Sequence, residues 1–145
     1  MASEQYALLF RLNPEHWPIW EERIPEEPEQ WFRTGRTGDI TTGIPAIILG
    51  TDNVGIVGTG ETVSDVEYRS DPYAAESGPG FENRYASPEN LVRVRIELDR
   101  VPVELVKGDP VADRLRFRRQ TTTWLSSSDY HALKRLMDSR TGYRS

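Results

Sequence analysis

Cysteine is absent from the 145-residue sequence. That excludes disulfides, thiolate metal sites and cysteine nucleophiles together, and fits a reducing compartment. Histidine is scarce: His16 and His131 each stand alone on an expected helix, so a zinc site would have to borrow carboxylates. No apolar run approaches the ~20 residues of a membrane-spanning helix. The opening MASEQYALLF lacks the basic start and apolar run of a secretory signal. A Walker-type phosphate loop is missing, since Gly35-Arg36-Thr37-Gly38 is too short and has no lysine. No nucleophile elbow surrounds any serine. These absences lead us to expect a cytoplasmic protein without membrane, metal or cofactor, and not an enzyme.

What is present fits one domain over residues 1–145, long enough for a core that needs no covalent staples. The net charge is −5 but unevenly placed. Glu15, Glu21, Glu22, Glu26, Glu27 and Glu29 face a single Arg23, whereas Arg114, Arg116, Arg118 and Arg119 form a basic strip with no acid among them. Such a chain can hold a polyanion on one side, although a solvated arginine strip reads the same way.

The stretch Gly43–Ser64 organises the chain. Two apolar runs flank the turn formers Gly50-Thr51-Asp52-Asn53, which is the pattern of a β-hairpin. Gly55, Gly58 and Gly60 in the second run suit a strand that curls, as in a small barrel; curvature alone would account for them. Tyr6–Asn13 reads as a buried first strand, and Pro14–Arg23 as a helix carrying Trp17 and Trp20. Glu29–Phe32 reads as a second helical piece. Asp65–Pro88 is a long loop holding Tyr68, Tyr73, Phe81 and Tyr85.

From Asn90 the alternation is clean: Val92, Val94, Ile96 and Leu98 interleave with Arg93, Arg95, Glu97 and Asp99, as in a strand with one wet face. The shift to Val101 and Val103 beside Pro102 implies a bulge or corner. Asp109–Ala112 starts a turn or short helix, and Leu115–Trp124 alternates in part. Ser126 and Asp129 make a capping-box start for a helix with Tyr130, Leu133, Leu136 and Met137 on one side and Gly142 as its stop. The fold class expected is α+β, a small bent β-barrel with helices packed at its ends.

Four tryptophans are more than such a core needs. Flat rings can sandwich a base, and arginines nearby can hold its flanking phosphates. Core packing is the alternative, favoured for Trp17 and Trp20; Trp31, beside Phe32 and an Arg/Gly loop, suits either role.

The sequence resembles the EVE domain of the PUA-like superfamily, which is related to YTH domains. The resemblance covers most of the chain. It rests on Trp31 before a loop, the Gly43–Leu49 strand, Ile56-Val57-Gly58-Thr59-Gly60, Tyr68 with Asp71-Pro72, Gln120-Thr121-Thr122 and Leu125-Ser126. It implies a DNA-binding module that flips one modified cytosine, 5-methylcytosine or 5-hydroxymethylcytosine, into an aromatic pocket. RNA is the alternative partner, and a small-molecule-binding barrel or small enzyme is the alternative from another class. A separate nuclease is the implied associate. By the same resemblance Trp31 is a pocket wall, and Tyr68 or Tyr73 the facing one. Asp71, Gln120 and Thr122 are candidates for the base edge. Arg33, Arg36, Arg118 and Arg119 are candidates for phosphates.

Overall fold

The computed structural model describes residues 5–12, 26, 28–34, 40–50, 55–69, 89–116 and 122–143. Its strands are β1 (Ala7–Leu12), β2 (Glu29–Arg33), β3 (Pro45–Gly50), β4 (Gly55–Thr62), β5 (Glu67–Arg69), β6 (Glu89–Val101) and β7 (Thr122–Leu125). The helices whose bounds fall within the described residues are α1 (Val103–Val106), α2 (Pro110–Arg116) and α3 (Ser127–Tyr143). One mixed sheet runs β2-β6-β4-β3-β1-β7, with β5 on β6.

The expected hairpin is present as the antiparallel pair β3 and β4. β1 lies parallel to β3 and antiparallel to β7, so it is interior to the sheet. That position explains its unbroken apolar run, because both of its faces are covered. Leu8 and Phe10 enter one core with Phe32, Ile48, Val57, Val92, Val94 and Ile96. Ala7 and Leu9 enter a second core with Ile47, Leu49, Val106, Leu115, Leu133 and Met137, under the helices. The first core fills the concave side of the curled sheet. The second packs α1, α2 and α3 against its convex side over β1 and β3.

Curling brings the two edge strands together. Thr122 Oγ1 on β7 donates to the carbonyl of Arg33 on β2 at 2.6 Å, and the rings of Phe10 and Phe32 lie 4.7 Å apart. Two bulges bend the sheet. β4 carries an extra residue against Ile48/Leu49 of β3, and β6 an extra residue against Ile56/Gly58 of β4. The second is the change of register expected beside Pro102. At Gly58 a Cβ would stand 2.1 Å from the Glu97 carbonyl oxygen, so the glycine lets the β6 backbone approach at the bend.

A clasp closes the end of the hairpin. Thr62 Oγ1 donates to the Thr41 carbonyl (2.6 Å) and accepts from Ile44 N–H (2.8 Å). The Asp65 carboxylate accepts from the backbone N–H of Thr42 at 3.0 Å. Beyond this clasp β4 gives way to β5 along the same edge of β6.

Several expectations need correction. Glu29–Phe32 is a strand, not a helical piece: Gln30 and Phe32 turn into the core while Glu29, Trp31 and Arg33 turn out. Pairing with β6 decides this, because four residues carry too little helical preference to resist a ladder. Three residues of the expected long loop form β5. Leu115 and Arg116 end α2 rather than starting a strand, and β7 begins at Thr122. The last helix starts where expected, with Ser126 Oγ accepting from Asp129 N–H at 3.1 Å, but runs past Gly142 to Tyr143. The expected helix at Pro14–Arg23, with Trp17 and Trp20, lies outside the described residues.

Candidate functional site

The three described helices cover only part of the convex side. Over β2, β6 and β4 the described residues of this face are polar or charged, apart from Trp31 and the buried Leu91, which stands opposite Arg33. The ladder Trp31↔Arg93 and Glu29↔Arg95 between β2 and β6, with Glu61↔Arg95 and Thr59↔Glu97 between β4 and β6, fixes which side chains are neighbours. Trp31 is half-buried here. The guanidinium carbon of Arg93 lies 5.5 Å from its ring centroid, within cation–π reach. Arg93 Nε also meets Glu29 Oε1 at 3.4 Å, the two side chains being 44% and 40% exposed. A pair so open to solvent contributes roughly 0–1 kcal/mol. Next to it a shallow cavity of about 430 Å³ is lined by Pro28, Thr59, Gly60, Glu61, Arg95, Ile96 and Glu97.

The other expected site residues are distributed as follows. Arg33 shares the outward face of β2 with Trp31, two residues away. Thr122 is buried, and its hydroxyl is engaged with the Arg33 carbonyl at the seam of the sheet. Tyr68 is 73% exposed on β5 opposite Asn90. Asn90 shares its parity on β6 with Val92, whereas Trp31 lies opposite Arg93, so the ladder puts Tyr68 and Trp31 on opposite sides of the sheet. Asp71, Tyr73, Gln120, Arg36, Arg118 and Arg119 lie outside the described residues. Among the described residues no group of three His, Cys, Asp or Glu could hold a metal ion, and no helix is long and apolar enough to cross a membrane.

Arg93 and Arg95 were not among the expected site residues. Their alternation with Val92, Val94 and Ile96 marks a wet strand face, but which strand lies beside them is a matter of sheet order, which is not local. A buried arginine is also unheralded. Arg11, 5% exposed, donates from Nη2 to the Leu115 carbonyl at the end of α2 (2.8 Å) and from Nη1 to Thr123 Oγ1 (3.3 Å). It ties β1 to both ends of the α2–β7 connection, and a cation is favourable at a helix C-terminus.

No family model and no curated protein matches this sequence. Solved structures do match. A hypothetical protein from Leishmania major superposes with a TM-score of 0.66 at 14% identity, over 97% of this chain and 99% of that one. The DUF55 domain of human thymocyte nuclear protein 1 gives 0.60 at 14% identity, over 91% and 98%. A YTH domain from Zygosaccharomyces rouxii, solved in complex with N6-methyladenosine RNA, gives 0.50 at 13% identity, over 91% and 87%. The curled mixed sheet, with the described helices on its convex side, therefore has the PUA-like fold shared by EVE-type and YTH domains, as the resemblance in sequence implies.

Proposed function

We propose that this domain binds nucleic acid and recognises one modified base, which leaves its stack and lies against Trp31. The observation that carries the reading is Trp31 itself. A large ring is kept half-buried on a largely polar sheet face, beneath the guanidinium of an arginine. The fold supports it, since a YTH domain of like architecture was solved with methylated RNA. An aromatic ring offers sequence-tolerant stacking, arginines offer phosphate contacts, and the two together suit a base presented on a polyanion.

DNA carrying 5-methylcytosine or 5-hydroxymethylcytosine is the ligand of the first reading. The domain carries no cleavage chemistry in this reading, so cutting of modified DNA would fall to a separate nuclease. RNA with a methylated base is the second reading, favoured by the YTH neighbour solved with N6-methyladenosine RNA. Anisotropy titration of matched duplexes with cytosine, 5-methylcytosine and 5-hydroxymethylcytosine, and of methylated-adenine RNA, separates them. Several-fold tighter binding of one modified ligand, lost in Trp31→Ala, supports the reading. Equal binding of all of them, or of none, overturns it.

A further inference from the structure

We infer that Glu29 holds Arg93 in reserve at the face of Trp31, and that a nucleic-acid phosphate takes Arg93 from Glu29 on binding. This rests on the nucleic-acid reading above and adds to it a named phosphate contact and a built-in competitor.

The register makes the argument. Glu29 stands directly opposite Arg95, yet its carboxylate lies 3.4 Å from Nε of Arg93, the next outward residue along β6. Arg93 itself stands opposite Trp31 and lies over its ring at 5.5 Å. One guanidinium thus touches a carboxylate and a ring at once, on a face open to solvent. A carboxylate and a phosphate compete for the same planar fork of donors, and the phosphate is the better match for bidentate binding. The Glu29 contact is exposed and weak, so an incoming phosphate can displace it. Movement of Arg93 toward the phosphate also uncovers the ring on which the base stacks.

Arg95 is the poorer candidate. It stands directly between Glu29 and Glu61, beside the cavity that Glu97 also lines, so carboxylates flank it on both neighbouring strands. A polyanion meets repulsion there. In a chain of net charge −5, an arginine whose cross-strand neighbour is an aromatic ring is the one a phosphate reaches more readily.

The test is a salt series of anisotropy titrations on full-length protein, with a labelled duplex carrying 5-methylcytosine and its unmodified twin. Arg93→Gln should weaken both and reduce the slope of log affinity against log salt by about 0.7–0.9, the loss of one phosphate contact. Arg93→Lys keeps the charge and should keep the slope. Arg95→Gln should move it less. Glu29→Gln should tighten both duplexes by about two- to fivefold at low salt, a gain that shrinks as salt rises. An unchanged slope in Arg93→Gln, or weaker binding in Glu29→Gln, overturns the inference. If these responses appear while Trp31→Ala leaves the ratio of modified to unmodified affinity unchanged, the base reading falls and the phosphate contact stands. Absence of binding by wild-type protein at low salt, both to these duplexes and to methylated-adenine RNA, overturns both.

Discussion

Thr122 and Arg33 join the two edges of the sheet: the threonine hydroxyl of β7 donates to the arginine carbonyl of β2 at 2.6 Å, 89 residues away in sequence. The side chain of Arg33 has no part in this bond, so its role and its backbone's role can be separated. Thr122→Val keeps shape and removes the donor. We expect a loss of about 1–2 kcal/mol, since a carbonyl at a part-buried seam loses its partner. Thr122→Ser should recover most of it. Urea unfolding with an unchanged m-value checks both. If the hydroxyl contacts the base edge instead, Thr122→Val will alter binding with little change in stability.

Arg11→Met should destabilise more than any exposed arginine substitution. The side chain is 5% exposed and bonds the Leu115 carbonyl and Thr123 hydroxyl. Methionine fills much of the volume and supplies neither donor, leaving a helix-end carbonyl unsatisfied. The expected cost is roughly 2–4 kcal/mol by chemical denaturation.

Two glycines separate crowding from backbone strain. At Gly58 a Cβ would meet the Glu97 carbonyl oxygen at 2.1 Å, so Gly58→Ala must push β6 away from β4. We expect a loss of about 3 kcal/mol or insoluble protein. Gly43 has φ +93° with nothing within 4 Å of a built Cβ. Gly43→Ala should cost only about 1–2 kcal/mol, the strain of a positive φ. A thermal-unfolding comparison tests the ranking.

Alkaline stability should depend on Tyr130. Burial, and then the neighbouring Tyr6, raise its pKa above the ordinary 10.0. Below pH 10 the phenol is neutral in folded and unfolded chains alike, and its contribution is fully present. Above that, the unfolded chain loses the proton first, and stability falls until the folded-state pKa is passed. Tyr130→Phe removes this term. Melting temperatures at pH 9 and pH 11 should therefore fall less steeply in the variant than in the wild type.

Trp31→Ala should spare the fold, because the ring is half-buried on the convex face and is not among the described residues of either core. Its loss should cost roughly 1–3 kcal/mol of modified-base binding and leave a salt-sensitive residue of affinity. Equal melting curves with a collapsed preference for the modified duplex are the expected pair of observations.

Much of this was legible in sequence where a pattern is local. The β3–β4 hairpin follows from two apolar runs around turn formers, β6 from strict alternation over Val92–Leu98, and α3 from the Ser126 cap and the Tyr130/Leu133/Met137 spacing. Glu29–Phe32 reads as helical in sequence because its strand character is conferred by β6, about sixty residues later. Of the site, Trp31 was legible as an aromatic ring with more than one use. Arg93 was legible only as a residue on a wet face. What joins them is a cross-strand register, and no local pattern carries that.

The place of β1 between β3 and β7 also bears on how the chain folds as it is made. Ala7 pairs with Leu125, and its strand lies among the most deeply buried in the sheet. On the ribosome, one edge of that strand stays open until Leu125 has emerged, and the helix-side core stays uncovered until Leu133 and Met137 follow. An apolar strand such as ALLFRL with an open edge is an invitation to pair with another chain. Synthesis of this domain therefore passes through a long interval in which its earliest residues need shielding, and closure comes late and nearly all at once.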